Sequence, residues 1–472
     1  MTTARQTKII ATLGPATETR EAIAGLLDAG VDLFRLNMSH APHEWARRIV
    51  ALVRALEAER GRPIGVMMDL QGPAIRTGDL AAPFMLVAGQ TFAFTVRGKQ
   101  SAHPQWAGVN YDDFINDINP GDHILIDNGL IHMKVLEELP DEVRCEVLIG
   151  GKLGNRRHIN LPGVKVNLPA LTEKDHADAQ LGLELGVDYF ALSFVREAAD
   201  VAELRRLIPE PALGPRIIAK IEDQCAIKNI DAIISAADAI MVARGDLGVE
   251  CPYEELPIIQ LRLVNACLAT GRPVIVATQM LESMVRDPYP TRAEVTDVAN
   301  AVKEQADAIM LSGETSVGQH PARCVEVARR VVMRMEREVP AHFQEGVALS
   351  SAREKLARAA VALADDLAAR SIVVFTVDGE TVRRTAWMRP KDALIIAICP
   401  NHRLARALTL LRAVVPVVWP LDFAAPAEVT VEKTLRHLRE SGHLAVGDTV
   451  VLLSSQAALA GMADSIRTRV VA

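Results

Sequence analysis

The chain is 472 residues long, 49% apolar but only 4% aromatic, with a formal net charge of −7. That length calls for two or three domains, and the aliphatic bias suits buried parallel strands covered by helices. The modest negative charge excludes a broad basic surface for nucleic acid or anionic membranes, so any bound anion must be met by local groups.

The opening residues MTTARQTKIIATLGP run straight into a strand, which leaves no room for a signal peptide. Eight short apolar runs then recur along the chain: 8–15, 31–40, 63–72, 188–195, 216–222, 239–248, 273–279 and 308–315. Each ends in glycine or polar residues, and helical patterns such as 43–60, 198–207 and 255–269 follow most of them. Eight strand–helix units are the count for a closed (β/α)8 barrel, the TIM-barrel architecture. Between the third and fourth runs lie about a hundred residues, too many for a βα loop. TFAFTV, DHILID, LIHMKVLEEL and EVRCEVLIGG within that gap read as strands and hairpins without a long helix. The expectation is a small all-β, barrel-like lid at 72–168, inserted into a catalytic barrel at 1–71 and 169–340. Further on, 371–377, 393–400, 414–420 and 448–455 alternate with helical segments, the pattern of an open α/β domain at 345–472. No apolar stretch reaches the ~18 residues of a membrane span. The six cysteines (Cys145, Cys225, Cys251, Cys267, Cys324, Cys399) contain no CxxC pair. That is the pattern of reduced thiols, and the expected location is cytoplasmic.

Chemistry in such a barrel collects at the carboxyl ends of its strands. Those ends read Arg35, Asn37, Ser39 and His40; Asp69; Ser193; Lys220 and Glu222; Arg244 and Asp246; Thr278; Ser312 and Glu314. Strand residues two apart share a face, so Arg35/Asn37/Ser39, Lys220/Glu222, Arg244/Asp246 and Ser312/Glu314 are expected to point into one cup. Singly, such residues are ordinary rim charges or helix caps; together in an apolar barrel they cost stability unless a ligand meets them. Glu222 and Asp246 suit Mg2+, which takes one or two protein carboxylates. Arg35, Arg76 and Lys220 suit a phosphoryl group and a carboxylate. Metal and cations without an obvious covalent nucleophile point to phosphoryl transfer or enolate chemistry.

At these residues the chain resembles the pyruvate kinases. KIIATLGPAT, FRLNMSH, GPAIRTGDL, INLPGVKVNLPALTEKD, KIEDQ, IMVARGDLGVE, ATQMLESMVRDPYPTRAEVTDVANAV and IMLSGET follow the family's order from end to end of the barrel. The resemblance implies a glycolytic phosphotransferase acting on phosphoenolpyruvate and ADP, cytoplasmic and homotetrameric, with no nucleic-acid or membrane partner. It implies that Glu222 and Asp246 hold Mg2+ or Mn2+, and that Lys220 stabilises charge on the bridging oxygen. Arg35 and Arg76 would bind phosphate, while Ala243, Arg244, Gly245, Asp246 and Thr278 shape the substrate pocket. Thr278, Ser312 and Glu314 would relay a proton to the enolate carbon. Asn37, His40, Trp45, Arg76, Asp127 and Arg157 fall at nucleotide positions, and Asn37, Ser39, Asp69 and Leu70 at those of a monovalent cation such as K+.

Several positions depart from the family's pattern. Its usual Asp-Thr-Lys-Gly-Pro-Glu is Asp69-Leu70-Gln71-Gly72-Pro73-Ala74 here, which removes a negative charge near the K+ position. Leu and Gln match the K+-independent branch, although that branch carries lysine at Ala74, so a K+ site stays open while K+ is not expected to be strictly required. A lysine–glycine pair in the lid has become Arg157-His158, Asp127-Asn128 replaces paired aspartates, and Trp45 replaces a tyrosine. The phosphate cradle of the C-terminal domain reads Thr376-Val377-Asp378-Gly379-Glu380-Thr381, in which two acids oppose a phosphate. SSQAALAGMADSI lacks the family's usual glycine-rich ending. Two rivals remain at this point: a phosphoenolpyruvate-handling carbon–carbon lyase, which predicts neither lid nor C-terminal domain, and an altered paralogue that only senses phosphoenolpyruvate or nucleotide.

Overall fold

The computed structural model describes residues 5–210, 214–421, 426–454 and 465–472. Among these, eight parallel strands close into a barrel: β1 (Lys8–Leu13), β2 (Leu33–Asn37), β3 (Gly65–Asp69), β4 (Tyr189–Leu192), β5 (Arg216–Ile221), β6 (Ala239–Ala243), β7 (Val274–Ala277) and β8 (Ala308–Leu311). Neighbours follow chain order around the ring, and Lys8 pairs with Ala308 to close it. Alternate residues divide the core. Ile10, Met67, Ile218, Met241, Ile275 and Met310 fill the interior, while Ile9, Met68, Ile217, Val242 and Ile309 face the helices outside. Both faces are therefore apolar, which is why the eight runs read as continuous rather than alternating.

The runs outlast the strands. The run at 239–248 is strand only to Ala243, and a helix covers Arg244–Glu250.

Between β3 and β4 the chain leaves the barrel and folds on a separate core of Phe92, Phe94, Phe114, Ile124, Met133 and Val147. Six strands form one sheet in the order 159–160, 123–126, 131–138, 142–149, 91–95 and 106–108, and a two-stranded ribbon joins Phe84–Met85 to Lys152–Leu153. The segment 75–78 bridges the two edges of this sheet: Ile159 N–H donates to the Ile75 carbonyl (2.8 Å) and Thr77 N–H to the Arg157 carbonyl (2.9 Å) on one side, and Gly78 N–H donates to the Gly108 carbonyl (2.7 Å) on the other. Two contacts fix the crossings between insertion and barrel. Thr172 and Asp175 form a reciprocal N-cap for the helix Glu173–Leu185, and the other oxygen of Asp175 accepts the Gly72 N–H at 3.1 Å. Arg196 donates to the carbonyls of Val166 (3.0 Å) and Leu168 on the returning segment.

The C-terminal sheet runs Val414–Val418, Leu394–Cys399, Ser371–Phe375, Thr449–Ser454 and Ser465–Val470, the last strand antiparallel. That fifth strand went unread in the sequence. Arg467 and Arg469 break its apolar pattern, and both pair with Glu428. Most of SSQAALAGMADSI lies outside the described residues. This domain plugs the bottom of the barrel. Leu410 enters the interior cluster, its N–H donating to Tyr189 Oη at 3.3 Å, and Tyr189 donates to the Arg406 carbonyl at 3.1 Å. A Cβ at Gly65 would collide with Thr409 Oγ1, so this approach requires glycine at the start of β3.

Candidate active site

At the carboxyl ends of β2, β3 and β5 the polar side chains form one connected network. Lys220 lies 2.9 Å from Glu222 and 3.2 Å from Asp69, and donates to Ser193 Oγ at 2.6 Å. Arg35 donates through Nε to Asp69 at 2.6 Å and through Nη1 to Thr12 Oγ1 at 3.1 Å. Ser193 Oγ in turn donates to the Leu70 carbonyl at 2.7 Å. All are buried, Asp69 and Glu222 to 1% exposure. Burial pushes the Asp69 carboxyl up, but Lys220 and Arg35 together hold it below its ordinary range. Burial would lower the Lys220 ammonium, yet the charges of Asp69 and Glu222 raise it instead. Glu222 behaves differently: burial, helped by the nearby Asp246 charge, outweighs Lys220 and pushes it up to about 7.

Glu222 and Asp246 therefore form a pair of carboxylates short of positive charge. Glu222 accepts the Phe194 N–H at 2.6 Å, whereas the Asp246 carboxylate has no hydrogen bond to a described residue beyond its helix backbone. A divalent cation would relieve their repulsion, and two carboxylates are what Mg2+ usually takes from protein. No larger cluster of metal-ligating side chains occurs among the described residues. The donor set fits a divalent ion that completes its shell with substrate and water.

Arg244 does not join the cup. It and Asp246 lie on a helix, where residues two apart point roughly 200° apart, so the same-face rule for strands fails. Its guanidinium donates to Asp297 at 2.6 Å and to the carbonyls of Ala277 (3.2 Å) and Thr278 (2.6 Å). It thus supports the Thr278 segment from behind. Glu314 is likewise fully buried, with its two oxygens accepting the N–H groups of Leu281 (3.0 Å) and Ser312 (2.7 Å). Its role is to shape the turn at the end of β8, and it makes no open contact with the cup. Thr278 has a left-handed backbone (φ 67°), and its Oγ1 accepts the Gly245 N–H at 2.7 Å, so this amide of the pocket is already bonded. Ser312 Oγ is buried without a partner among the described residues.

A cavity of about 550 Å3 gathers Arg35, Asn37, His40, Trp45 and Ser312. Trp45 Nε1 donates to Glu18 at 2.8 Å, which fixes the indole along the wall. Of the lid candidates, Arg157 reaches Asp127 at 3.2 Å, and Arg76 donates to the Arg156 carbonyl at 3.1 Å. Arg76 also pairs with His158 in a short bridge. Burial lowers the His158 imidazole, Asp246 opposes this and Arg76 adds to it, so the three lie within electrostatic reach. Of the four monovalent-cation candidates, three carry internal bonds. Asn37 Oδ1 accepts the Ser39 N–H at 3.2 Å, the Leu70 carbonyl accepts Ser193, and Asp69 is shared by Arg35 and Lys220.

Sequence reasoning missed Thr12, Phe194 and Glu18. Only Thr12 left a signal, as a hydroxyl near the end of β1 on the face of Ile10.

The sequence model described as "Pyruvate kinase, barrel domain" matches residues 4–325, and "Pyruvate kinase, alpha/beta domain" matches 354–468. Plastidial pyruvate kinase 2 of Arabidopsis thaliana is 40% identical over 460 residues, covering 96% of this chain and 78% of its own. A pyruvate kinase of Geobacillus stearothermophilus is also 40% identical over 460 residues (95% and 77%), and pyruvate kinase 2 of Synechocystis is 37% identical over 473 (99% and 79%). Barrel, inserted sheet and C-terminal domain all lie within these matches, and so does the Asp69–Lys220–Glu222 network. The chain belongs to the pyruvate kinase family.

Proposed function

We propose that the chain transfers the phosphoryl group of phosphoenolpyruvate to ADP, giving pyruvate and ATP. The observation that carries this reading is the buried Arg35–Asp69–Lys220–Glu222 network beside the unpaired carboxylate of Asp246. Glu222 and Asp246 would hold Mg2+, or Mn2+ in its place, which when bound supplies Lewis-acid charge to the substrate's oxygens. Arg35 and Arg76 bind the phosphoryl oxygens. Lys220 sits where the bridging oxygen gains charge as ADP oxygen attacks phosphorus and the P–O bond breaks toward the enolate. The electron pair stays on the enolate, whose carbon then takes a proton through water held by Thr278 and Ser312; the unpartnered Ser312 Oγ supports that placement. Ala243 and Gly245 line the carboxylate pocket, and Arg244 and Glu314 act behind it by positioning Thr278 and Ser312. His40, Trp45, Asp127 and Arg157 serve the nucleotide. The lid excludes water from the transfer.

The domains are assigned as barrel 1–71 and 169–340, lid 72–168 and C-terminal unit 345–472. The enzyme works in the cytoplasm as a homotetramer; exposed Tyr253, Ile258 and Tyr289 offer apolar surface on the barrel for subunit contacts. Among the described residues no helix is long and apolar enough to cross a membrane.

Pyruvate formation from phosphoenolpyruvate plus ADP, followed in a coupled assay, tests the reading. Lys220→Ala and Glu222→Ala should remain folded by circular dichroism and lose about 10²–10³-fold in kcat, as for other groups acting on transition-state charge. Near-normal turnover in Glu222→Ala with Mg2+ present refutes the metal assignment. Absence of any turnover in the unaltered chain refutes the reaction and favours the sensing rival.

A further inference from the structure

The lid reaches the two candidate metal carboxylates indirectly, through His158 and Asn160, which lie two apart on one extended segment. Ile159 points into the lid's own core at 2% exposure, so His158 and Asn160 turn to the opposite face, toward the barrel. The His158 ring packs on the Phe194 ring, centroids 5.7 Å apart and planes tilted by 54°. Asn160 Nδ2 donates to Glu250 Oε1 at 2.9 Å. Each barrel partner leads to a different carboxylate. The Phe194 N–H donates to Glu222 at 2.6 Å, and Glu250 ends the helix Arg244–Glu250 that carries Asp246.

Phe194 does not adopt this position freely. Its φ of 53° lies in the left-handed region, which strains a bulky residue unless the surroundings hold it. The Glu222 carboxylate holds its amide and the His158 ring holds its side chain. His158 is itself fixed, its carbonyl accepting the Asp127 N–H at 3.0 Å and its backbone paired with Arg76. The barrel therefore supplies the carboxylates, and the lid supplies the ring and the amide that brace the residues behind them.

From this geometry we infer that His158 and Asn160 are positioning residues through which the lid sets Glu222 and Asp246 for their divalent ion. The inference rests on the metal reading given above. Neither residue touches the ion. His158 acts through Phe194 on the direction of the Glu222 carboxylate, and Asn160 acts through Glu250 on the seating of the Asp246 helix. The mechanical consequence is that displacing the lid strand loosens both carboxylates together.

The test is Mn2+ binding without substrate, read by electron paramagnetic resonance on the full chain. His158→Ala should raise the Mn2+ Kd by about fivefold, less than the roughly 10–100-fold cost of losing a direct outer-shell partner. His158→Phe, which keeps a ring over Phe194, should restore it, and kcat/KM for phosphoenolpyruvate should follow the same order. If His158→Ala does not fold, Phe194→Leu cuts the same contact from the barrel side and should raise the Kd likewise. An unchanged Kd in the folded variant, or His158→Phe no better than His158→Ala, overturns the inference while leaving the metal site in place. Glu222→Gln separates the two failures. If it binds Mn2+ as tightly as the unaltered chain, the metal reading itself falls and this inference falls with it.

Discussion

Arg389 of the C-terminal domain grips Asp307 of the barrel with both terminal nitrogens, each 2.8 Å from a carboxylate oxygen, and the pair is almost wholly buried. Asp307 immediately precedes β8. It also accepts the Val274 N–H at the start of β7 (3.0 Å) and the Arg412 N–H (3.2 Å). One carboxylate thus joins two barrel strands to two segments of another domain, on the side of the barrel away from the active site.

Asp307→Asn should therefore destabilise the protein without touching the chemistry. Removing one partner leaves a buried guanidinium uncompensated, which typically costs about 3–5 kcal/mol. Thermal or urea unfolding should show the loss, with kcat near normal at temperatures where the variant is folded. Unchanged unfolding would show that the two domains are held by apolar plugging around Leu410 instead.

Glu250 gives a pH signature. Burial pushes its carboxyl up to about 7 from an ordinary value near 4.5, although the Asn160 hydrogen bond opposes this. A carboxyl raised on folding contributes stability below its unfolded pKa, and that contribution is lost as pH rises through the folded one. The unaltered chain should thus lose stability from about pH 4.5 to about pH 7. Glu250→Gln keeps the shape and does not titrate, so its Tm relative to the unaltered chain should climb across that window, by at most about 3 kcal/mol equivalent. A Tm difference that is flat with pH would place the ionised carboxylate in a better-solvated setting than its burial indicates.

Fructose 1,6-bisphosphate, the effector that the family resemblance implies for the phosphate cradle of the C-terminal domain, should act weakly on this chain. In the loop expected to cradle phosphate, Asp378 accepts the Glu380 N–H at 2.9 Å, taking an amide that an anion would need. Arg353 (3.7 Å) neutralises Asp378, and Arg383 (3.3 Å) and Arg384 (3.6 Å) face Glu380. The loop's own acids occupy its donors and cations. Titration should change phosphoenolpyruvate half-saturation by less than about twofold, against the roughly 5–150-fold of typical effector coupling. Strong activation by micromolar bisphosphate would mean that the loop rearranges.

Activity should persist without K+. Loss of a carboxylate at Ala74 weakens attraction for a cation by about 1–4 kcal/mol at about 4 Å. Lys220 and Arg35 already neutralise Asp69, and the oxygens of Asn37 and Leu70 accept internal hydrogen bonds. At fixed ionic strength with tetramethylammonium as counter-ion, kcat should remain within about threefold of its value in KCl, a residual effect at the weak end of that electrostatic range. A fall to background would show that K+ displaces these internal partners.

What the sequence by itself determined was the order of elements and the residues that end them. Eight apolar runs marked the barrel because strands buried on both faces must be continuously apolar, and Asp69, Lys220 and Glu222 stood out because they close such runs. Local periodicity carried no further. It extended the sixth run past Ala243 and so placed Arg244 beside Asp246 on one face, where a helix turns Arg244 back to Asp297. It also passed over the strand Ser465–Val470, whose arginines look like loop until Glu428 pairs with them. Only the tertiary structure decided which polar groups meet. Glu314 is consumed by backbone amides, Asp69 is held between two cations, and His158 comes to lie on Phe194, because each partner arrives from another strand end or another domain. Contacts of that kind depend on how distant segments pack, and no spacing within one segment encodes them.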